Sequence, residues 1–154
     1  MIQFFVPGTP APGGSKRLKG HFQRRTAAGK IARIPLIVDD CARNASWRQT
    51  VQVFAAQAYK GPPLTAPLAI SATFVLTRPR GHYGTGKNAH IVKASAPKYP
   101  TTKPDATKLF RSTEDALTGI IWRDDAQIVA QTVKKEYGDT PGVKLLITVM
   151  ADAA

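Results

Sequence analysis

The sequence predicts a single α+β domain with two main helices and several short strands. Three observations favour this fold class. The chain has 154 residues, which is the usual size of one domain. Two segments repeat apolar residues at helical spacing, and several short segments alternate apolar and polar residues or form brief apolar runs. Hydrophobic residues make up 43% of the chain and charged residues 21%, as in soluble globular proteins.

Two segments have the periodicity of amphipathic helices. The first begins at a cap supplied by Asp39 or Asp40 and ends near Tyr59, before Gly61. Its apolar face holds Trp47, Val51, Phe54, Ala55 and Ala58. The second extends from Asp105 to Ile120, and its apolar face holds Leu109, Thr113, Ala116, Leu117 and Ile120.

Five segments are predicted strands: 2–6, 34–38, 68–78, 127–136 and 143–150. The third alternates most clearly, with Leu68, Ile70, Ala72 and Phe74 on one face, which indicates a half-buried strand. Gly138 and Gly142 flank the turn between the last two strands, and this spacing predicts a hairpin.

Residues 8–33 and 79–104 are predicted to be basic, flexible loops, because they are rich in glycine, proline and cations. Lys and Arg number 22 against 10 Asp and Glu, so the net charge is +12. The first loop holds seven basic residues and no acid: Lys16, Arg17, Lys19, Arg24, Arg25, Lys30 and Arg33. Such an excess favours a polyanionic partner, and nucleic acid more than an anionic membrane or an acidic protein.

The carboxylates are concentrated in one segment. Six of the ten lie between positions 105 and 136: Asp105, Glu114, Asp115, Asp124, Asp125 and Glu136. Asp105 precedes the second helix, and Asp124 and Asp125 follow it. If the chain folds back after the helix, these aspartates would form an all-oxygen site of the kind that Mg²⁺ uses. Arg111, on the polar face with Lys108, Ser112 and Asp115, is a candidate for stabilising the charge of a phosphate transition state.

Other features of the sequence restrict the cellular location and the kinds of site that the protein can have. Cys41 is the only cysteine, so a disulfide within the chain is excluded and a cysteine-based zinc site is disfavoured. No apolar run approaches the roughly 20 residues needed to cross a bilayer. The N-terminus lacks the pattern of a signal peptide. We therefore expect a cytoplasmic protein without a membrane partner.

Several motifs together carry a resemblance to a known family. Lys-Pro-Asp at 103–105, Asp-Ala-Leu-Thr-Gly at 115–119 and Asp-Asp-Ala-Gln-Ile at 124–128 occur in the order and near the spacing found in the RusA family of Holliday junction resolvases. The opening FFVPGTPAPGGSKR is similar to that family's first strand and loop.

The resemblance implies a small α+β homodimer, common in bacteria, phages and prophages, that binds four-way DNA junctions and cuts them with Mg²⁺ or Mn²⁺. It implies catalytic roles for Asp105, Asp125 and a basic residue at position 111, here Arg111. The expected metal ligands are Asp105 and Asp125, with Asp124 as a further candidate. The expected DNA contacts are Lys16, Arg17, Lys19, Arg24, Arg25, Lys103 and Lys108.

The sequence departs from the family pattern at three positions. Thr107 stands where the family has a second aspartate, Lys108 where it has asparagine, and Arg111 where lysine is typical. A relative that binds junctions but cuts poorly therefore remains an alternative, as does an unrelated basic RNA-binding domain. Local alternatives also remain: Asp105 as a helix cap, Asp124 and Asp125 as a solvated turn, and Asp115 as an ion-pair partner of Arg111.

Overall fold

The computed structural model describes residues 1–14, 16–39 and 41–150, apart from the side chains of Arg17, Val38 and Asp39. Its elements, in chain order, are β1 (Ile2–Pro7), β2 (Lys16–Arg25), β3 (Ile31–Asp39), α1 (Asn44–Ala58), β4 (Leu68–Leu76), α2 (Ala106–Leu117), β5 (Ile128–Tyr137) and β6 (Gly142–Val149). The predicted α+β class is confirmed. In this described part of the chain, no helix is long and apolar enough to cross a membrane.

Four strands form a mixed sheet in the order β1-β6-β4-β5. β5 runs parallel to β4, whereas β6 is antiparallel to both β4 and β1. The predicted hairpin between the last two strands is therefore wrong, because β4 lies between them. The turn after β5 passes the end of β4, where the Gly138 N–H donates to the Leu76 carbonyl at 3.1 Å.

Both helices contribute to one hydrophobic core with the sheet. Leu68, Ile70, Ala72 and Phe74 of β4 are buried, as their alternation predicted. Trp47 of α1 is buried and donates its indole N–H to Thr113 Oγ1 of α2 at 3.2 Å, which joins the two helices. α1 begins at Asn44, later than expected, with Arg43 at its N-cap; Asp40, one of the proposed caps, lies outside the described residues.

The first basic loop is not irregular, and this prediction is corrected. β2 and β3 form a separate two-stranded antiparallel sheet whose register extends from Lys16↔Asp39 to Arg25↔Ile31. We call this hairpin the basic ribbon. The sequence pattern does not predict β2, because cations occupy half of its ten positions and the apolar alternation of a half-buried strand is absent. The predicted strand at 34–38 is part of β3.

The second predicted loop, at 79–104, contains no strand or α-helix in the described structure, only short 3₁₀ turns at Arg80–His82 and Gly86–Asn88. Side chains hold it in place. Arg78 Nη1 donates to the Pro97 carbonyl at 2.8 Å, and Lys93 Nζ donates to the Gly81 carbonyl at 2.9 Å. This segment leads directly into the residues that precede α2.

Candidate active site

Two carboxylates interact electrostatically near the C-terminal end of α2. Glu114 is half-buried in the last turns of this helix, and Asp125 lies in the 3₁₀ turn that precedes β5. Burial raises the pKa of Glu114, and the negative charges of Asp125 and then Asp115 raise it further, while Arg111 acts in the opposite direction. Arg111 and Glu114 are three residues apart on one side of the helix. We call Glu114, Asp125 and Arg111 the acidic corner.

The sequence motifs do not select Glu114 as a functional residue. Its place in the acid-rich segment and its i,i+3 spacing from Arg111 were the available signals. Its burial and its proximity to Asp125 depend on the chain path after α2, which periodicity does not specify. The structure therefore adds one carboxylate to the candidate site.

The two adjacent aspartates have different surroundings. Asp124 caps the 3₁₀ turn, with Oδ1 accepting from the Ala126 N–H at 2.9 Å. Gln127 Oε1 accepts from the Asp124 N–H at 2.9 Å, and Gln127 Nε2 donates to the carbonyls of Leu64 and Ala66. These bonds fix the turn against the segment before β4. Asp124 thus shapes the turn that presents the exposed carboxylate of Asp125.

Asp105 occupies the N-cap position of α2, but its side chain makes no capping hydrogen bond in the described structure. Its Oδ2 lies 3.8 Å from Lys108 Nζ, and both side chains are about half exposed, so this ion pair contributes little to stability. The loop before it is held by Lys135 of β5. Lys135 Nζ donates to the carbonyls of Thr102 and Pro104, both at 2.9 Å.

Asp105 and Asp125 are placed toward opposite ends of α2. Nine residues of helix separate Asp105 from Glu114, a rise of about 14 Å. The charge of Asp125 raises the pKa of Glu114, so Asp125 belongs to the Glu114 end of the helix. The strand β5 supports the same arrangement. It starts just after Asp125, and Lys135, which holds the Asp105 loop, lies about 23 Å further along it. Among the described residues, no group of three or more His, Cys, Asp or Glu side chains is arranged to hold a metal ion.

Other predicted neighbours of Arg111 differ in the structure. Ser112, expected on the polar face, is buried and donates its hydroxyl hydrogen bond to Asn44 Oδ1 of α1. Asp115 pairs with Arg48 of α1, with 4.0 Å between Nη1 and Oδ2, which gives this aspartate an interhelical partner. Arg111 itself is exposed. Along α2 it lies between the end near Asp105 and the end near Asp125.

The segment before the basic ribbon contacts α2 near Arg111. The Gly13 N–H donates to the Lys108 carbonyl at 2.9 Å, which fixes the segment before β2 on α2. Gly14 has φ +78°, and a Cβ added there would lie 3.0 Å from Arg111 Cδ, so glycine suits both the backbone and the contact. Of the predicted DNA contacts, Lys16, Lys19, Arg24, Arg25, Lys103 and Lys108 are exposed; the side chain of Arg17 lies outside the described residues.

Comparison with known proteins gives two findings. The model of a family described as Endodeoxyribonuclease RusA matches residues 21–148, which is most of the chain and includes α2, Asp125 and most of the basic ribbon. A protein of Bacillus subtilis (strain 168), described as uncharacterized protein YqaN, is 27% identical over 146 residues; the match covers 95% of this chain and 94% of that protein.

Proposed function

Because this chain belongs to the RusA endodeoxyribonuclease family, we propose that it binds four-way and other branched DNA and hydrolyses phosphodiester bonds with Mg²⁺ or Mn²⁺. The observation that carries the proposal is the electrostatic interaction of Glu114 with both Asp125 and Arg111, in a chain whose net charge is +12. Placing two carboxylates together at a DNA-binding surface is unfavourable unless a cation offsets their charge.

The residues present fit a hard divalent cation. Mg²⁺ needs only one or two carboxylates, because waters and phosphate oxygens complete its coordination. Asp125 and Glu114 supply such a pair. Asp124 is the weaker candidate ligand, since its Oδ1 already accepts a backbone hydrogen bond. We retain Asp105 as a second catalytic carboxylate, at the other end of α2.

Each residue of the acidic corner then has a distinct role. When bound, a divalent cation polarises the phosphate and lowers the pKa of a water molecule. Asp125 and Glu114 would hold that cation through their carboxylate oxygens. Arg111, through its guanidinium group, would stabilise the negative charge that develops on the phosphate oxygens.

The basic ribbon would supply the grip on DNA. Its exposed cations can neutralise phosphates and release counterions, which gives affinity without sequence specificity. A homodimer would suit this task, because a two-fold protein can place one active site on each of two symmetric strands of a junction.

Cleavage of a synthetic four-way junction tests the proposal. The junction is incubated with the protein and either Mg²⁺ or Mn²⁺, and we expect paired, symmetric nicks. Asp125→Asn should abolish nicking and retain junction binding. Glu136→Gln is the matched control, because Glu136 pairs with Lys144 at 2.8 Å near the far end of β5 and should not affect cleavage. Junction binding without nicks under all metal conditions would overturn the enzymatic role.

Thr107 favours a second candidate function, a junction-binding protein that cuts weakly or not at all. This exposed residue of α2 offers a neutral hydroxyl where the family pattern has a carboxylate. One fewer carboxylate weakens the attraction for a divalent cation. Thr107→Asp distinguishes the two functions. If it lowers the Mg²⁺ concentration needed for nicking, the native chain is a weakened nuclease; if neither form nicks, it is a binding protein.

A further inference from the structure

A cavity of about 440 Å³ lies beside the N-terminal end of α2, away from the acidic corner. Its lining comes from the loop after β1, the segment before α1, the end of β4, the residues before α2 and the first turn of α2. Three cationic side chains, Arg43, Lys103 and Lys108, line it together with a single carboxylate, Asp105. We call it the proline cavity, because Pro10, Pro12 and Pro104 form much of its apolar wall.

The charge of the proline cavity favours an anion. Asp105 lies 3.8 Å from Lys108 and offsets one of the three cations. Arg43 and Lys103 then leave a net excess of two positive charges around a small concave space. Guanidinium and ammonium groups together are well suited to phosphate oxygens.

The volume of the cavity and the residues of its walls further restrict the class of ligand that can fit. Binding cavities for small organic ligands measure about 300–1,000 Å³. Inorganic phosphate would leave much of this space and all of the proline surface unused. A nucleotide matches both parts, since its phosphate is anionic and its sugar and base offer surface that can pack on prolines.

Hydrogen bonds fix two sides of the cavity. Lys135 holds the carbonyls of Thr102 and Pro104, on either side of Lys103. The Gly13 N–H bonds to the Lys108 carbonyl, which fixes the proline-containing loop on α2. The cavity is therefore preorganised, which reduces the entropic cost of binding.

We propose that the proline cavity binds one unpaired nucleotide of the branched DNA, with its phosphate at Arg43, Lys103 and Lys108 and its sugar and base against the prolines. This inference rests on the proposed function, because it takes branched DNA as the ligand. Extruding a nucleotide costs least when its base is mismatched or already single-stranded, so an unpaired nucleotide at a branch enters the cavity at low cost. The cavity would then orient the strand along α2 toward Arg111.

Cys41 allows a direct test, because it lines the cavity and is the only cysteine of the chain. It is partly exposed, so its alkylation rate reports occupancy of the cavity. Neutral iodoacetamide is the probe, since its lack of charge avoids competition for the cations. We compare the alkylation rate of Cys41 in the presence of thymidine monophosphate, thymidine or inorganic phosphate, and then of a four-way junction. Calorimetry with thymidine monophosphate gives a second readout that does not depend on thiol reactivity.

We expect thymidine monophosphate to slow alkylation about tenfold at a concentration about ten times its Kd. Thymidine and inorganic phosphate should each protect far less. Arg43→Ala and Lys103→Ala should each remove the protection and the calorimetric signal. Lys60→Ala, which removes one exposed cation beyond the end of α1, is the matched control and should leave both unchanged.

Two outcomes would overturn the assignment. Equal protection by inorganic phosphate and by thymidine monophosphate would show a site for anions only. A junction that binds and is nicked without protecting Cys41 would refute the inference while the proposed function stands. A junction that fails to bind, with Cys41 still protected by thymidine monophosphate, would instead count against the proposed function and support the cavity as a nucleotide site.

Discussion

Asp125 raises the pKa of Glu114 across the end of α2, adding to the larger effect of burial. The two residues are eleven positions apart in the sequence and belong to different elements, a helix and a 3₁₀ turn. Their proximity means that the folded chain tolerates electrostatic repulsion at this point. Tolerated repulsion between carboxylates is typical of functional sites, where a cation or a reacting group offsets it.

Glu114→Gln should weaken divalent cation binding. The substitution keeps the size of the side chain but removes one carboxylate from the pair with Asp125. We expect the Mn²⁺ affinity of the DNA-free protein to fall on the order of 10-fold, measured by calorimetry, and nicking to require more metal. Asp115→Asn is the matched control, because Asp115 pairs with Arg48. A greater loss in Asp115→Asn than in Glu114→Gln would place the cation elsewhere.

Substitutions of Asp124 and Asp125 should have different effects, the first on the stability of the fold and the second on nicking. Asp124→Ala removes the acceptor of the Ala126 N–H and should lower the free energy of unfolding by about 1 kcal/mol, measured by urea denaturation. Asp125→Ala removes a charge that repels Glu114, so it should leave the stability unchanged or slightly higher while abolishing nicking. Equal destabilisation by both substitutions would contradict the division of roles.

The helices and the central strand could be predicted because burial leaves a periodic pattern. Apolar residues alternate along β4 and recur at helical spacing along α2. The structure buries Leu68, Ile70, Ala72 and Phe74 of the strand and Leu109, Thr113 and Ala116 of the helix. The pairing of strands could not be predicted in the same way. Two strands joined by a short turn usually form a hairpin, but here β4 lies between β5 and β6. That arrangement depends on contacts across the whole sheet.

The candidate site was only partly accessible from the sequence. The motifs identified Asp105, Asp125 and Arg111, but convergence of the two aspartates depended on the path of the chain after α2. In the structure Asp125 acts electrostatically on Glu114, whereas Asp105 pairs with Lys108 at the other end of the helix. Lys135 was also missed. Its role is to hold backbone carbonyls of a loop more than thirty positions away in the chain, and such a contact leaves no local pattern.

Lys135→Met should loosen the loop that carries Lys103 and Asp105. The ammonium group donates to two carbonyls, and its loss should cost about 1–2 kcal/mol of unfolding free energy. Hydrogen exchange of the backbone amides at 101–105 should become faster, and nicking should decrease. Lys134→Met is the matched control, because its side chain is exposed on the same strand. Unchanged exchange in Lys135→Met would show that other contacts hold the loop.

The basic ribbon should bind DNA through one of its two faces. Successive strand residues point to opposite faces, and directly paired residues share one. Arg25 therefore lies on the face of Arg33, whose partner is Gln23, whereas Arg24 shares a face with Phe22 and Ile34.

We expect the face with two arginines to contact phosphates. Arg25→Ala should reduce the slope of log Kd for a junction against log salt by about 0.9, the value for one lost phosphate contact. Arg24→Ala should change the slope much less. Lys60→Ala, which removes one exposed cation beyond the end of α1, controls for net charge. A reduced slope in Arg24→Ala alone would assign DNA binding to the face of Phe22. Equal, small changes of the slope in all three variants would show that the ribbon contributes only to the overall charge of the protein. A specific phosphate contact, by contrast, must give different slopes for residues on opposite faces of the same two strands.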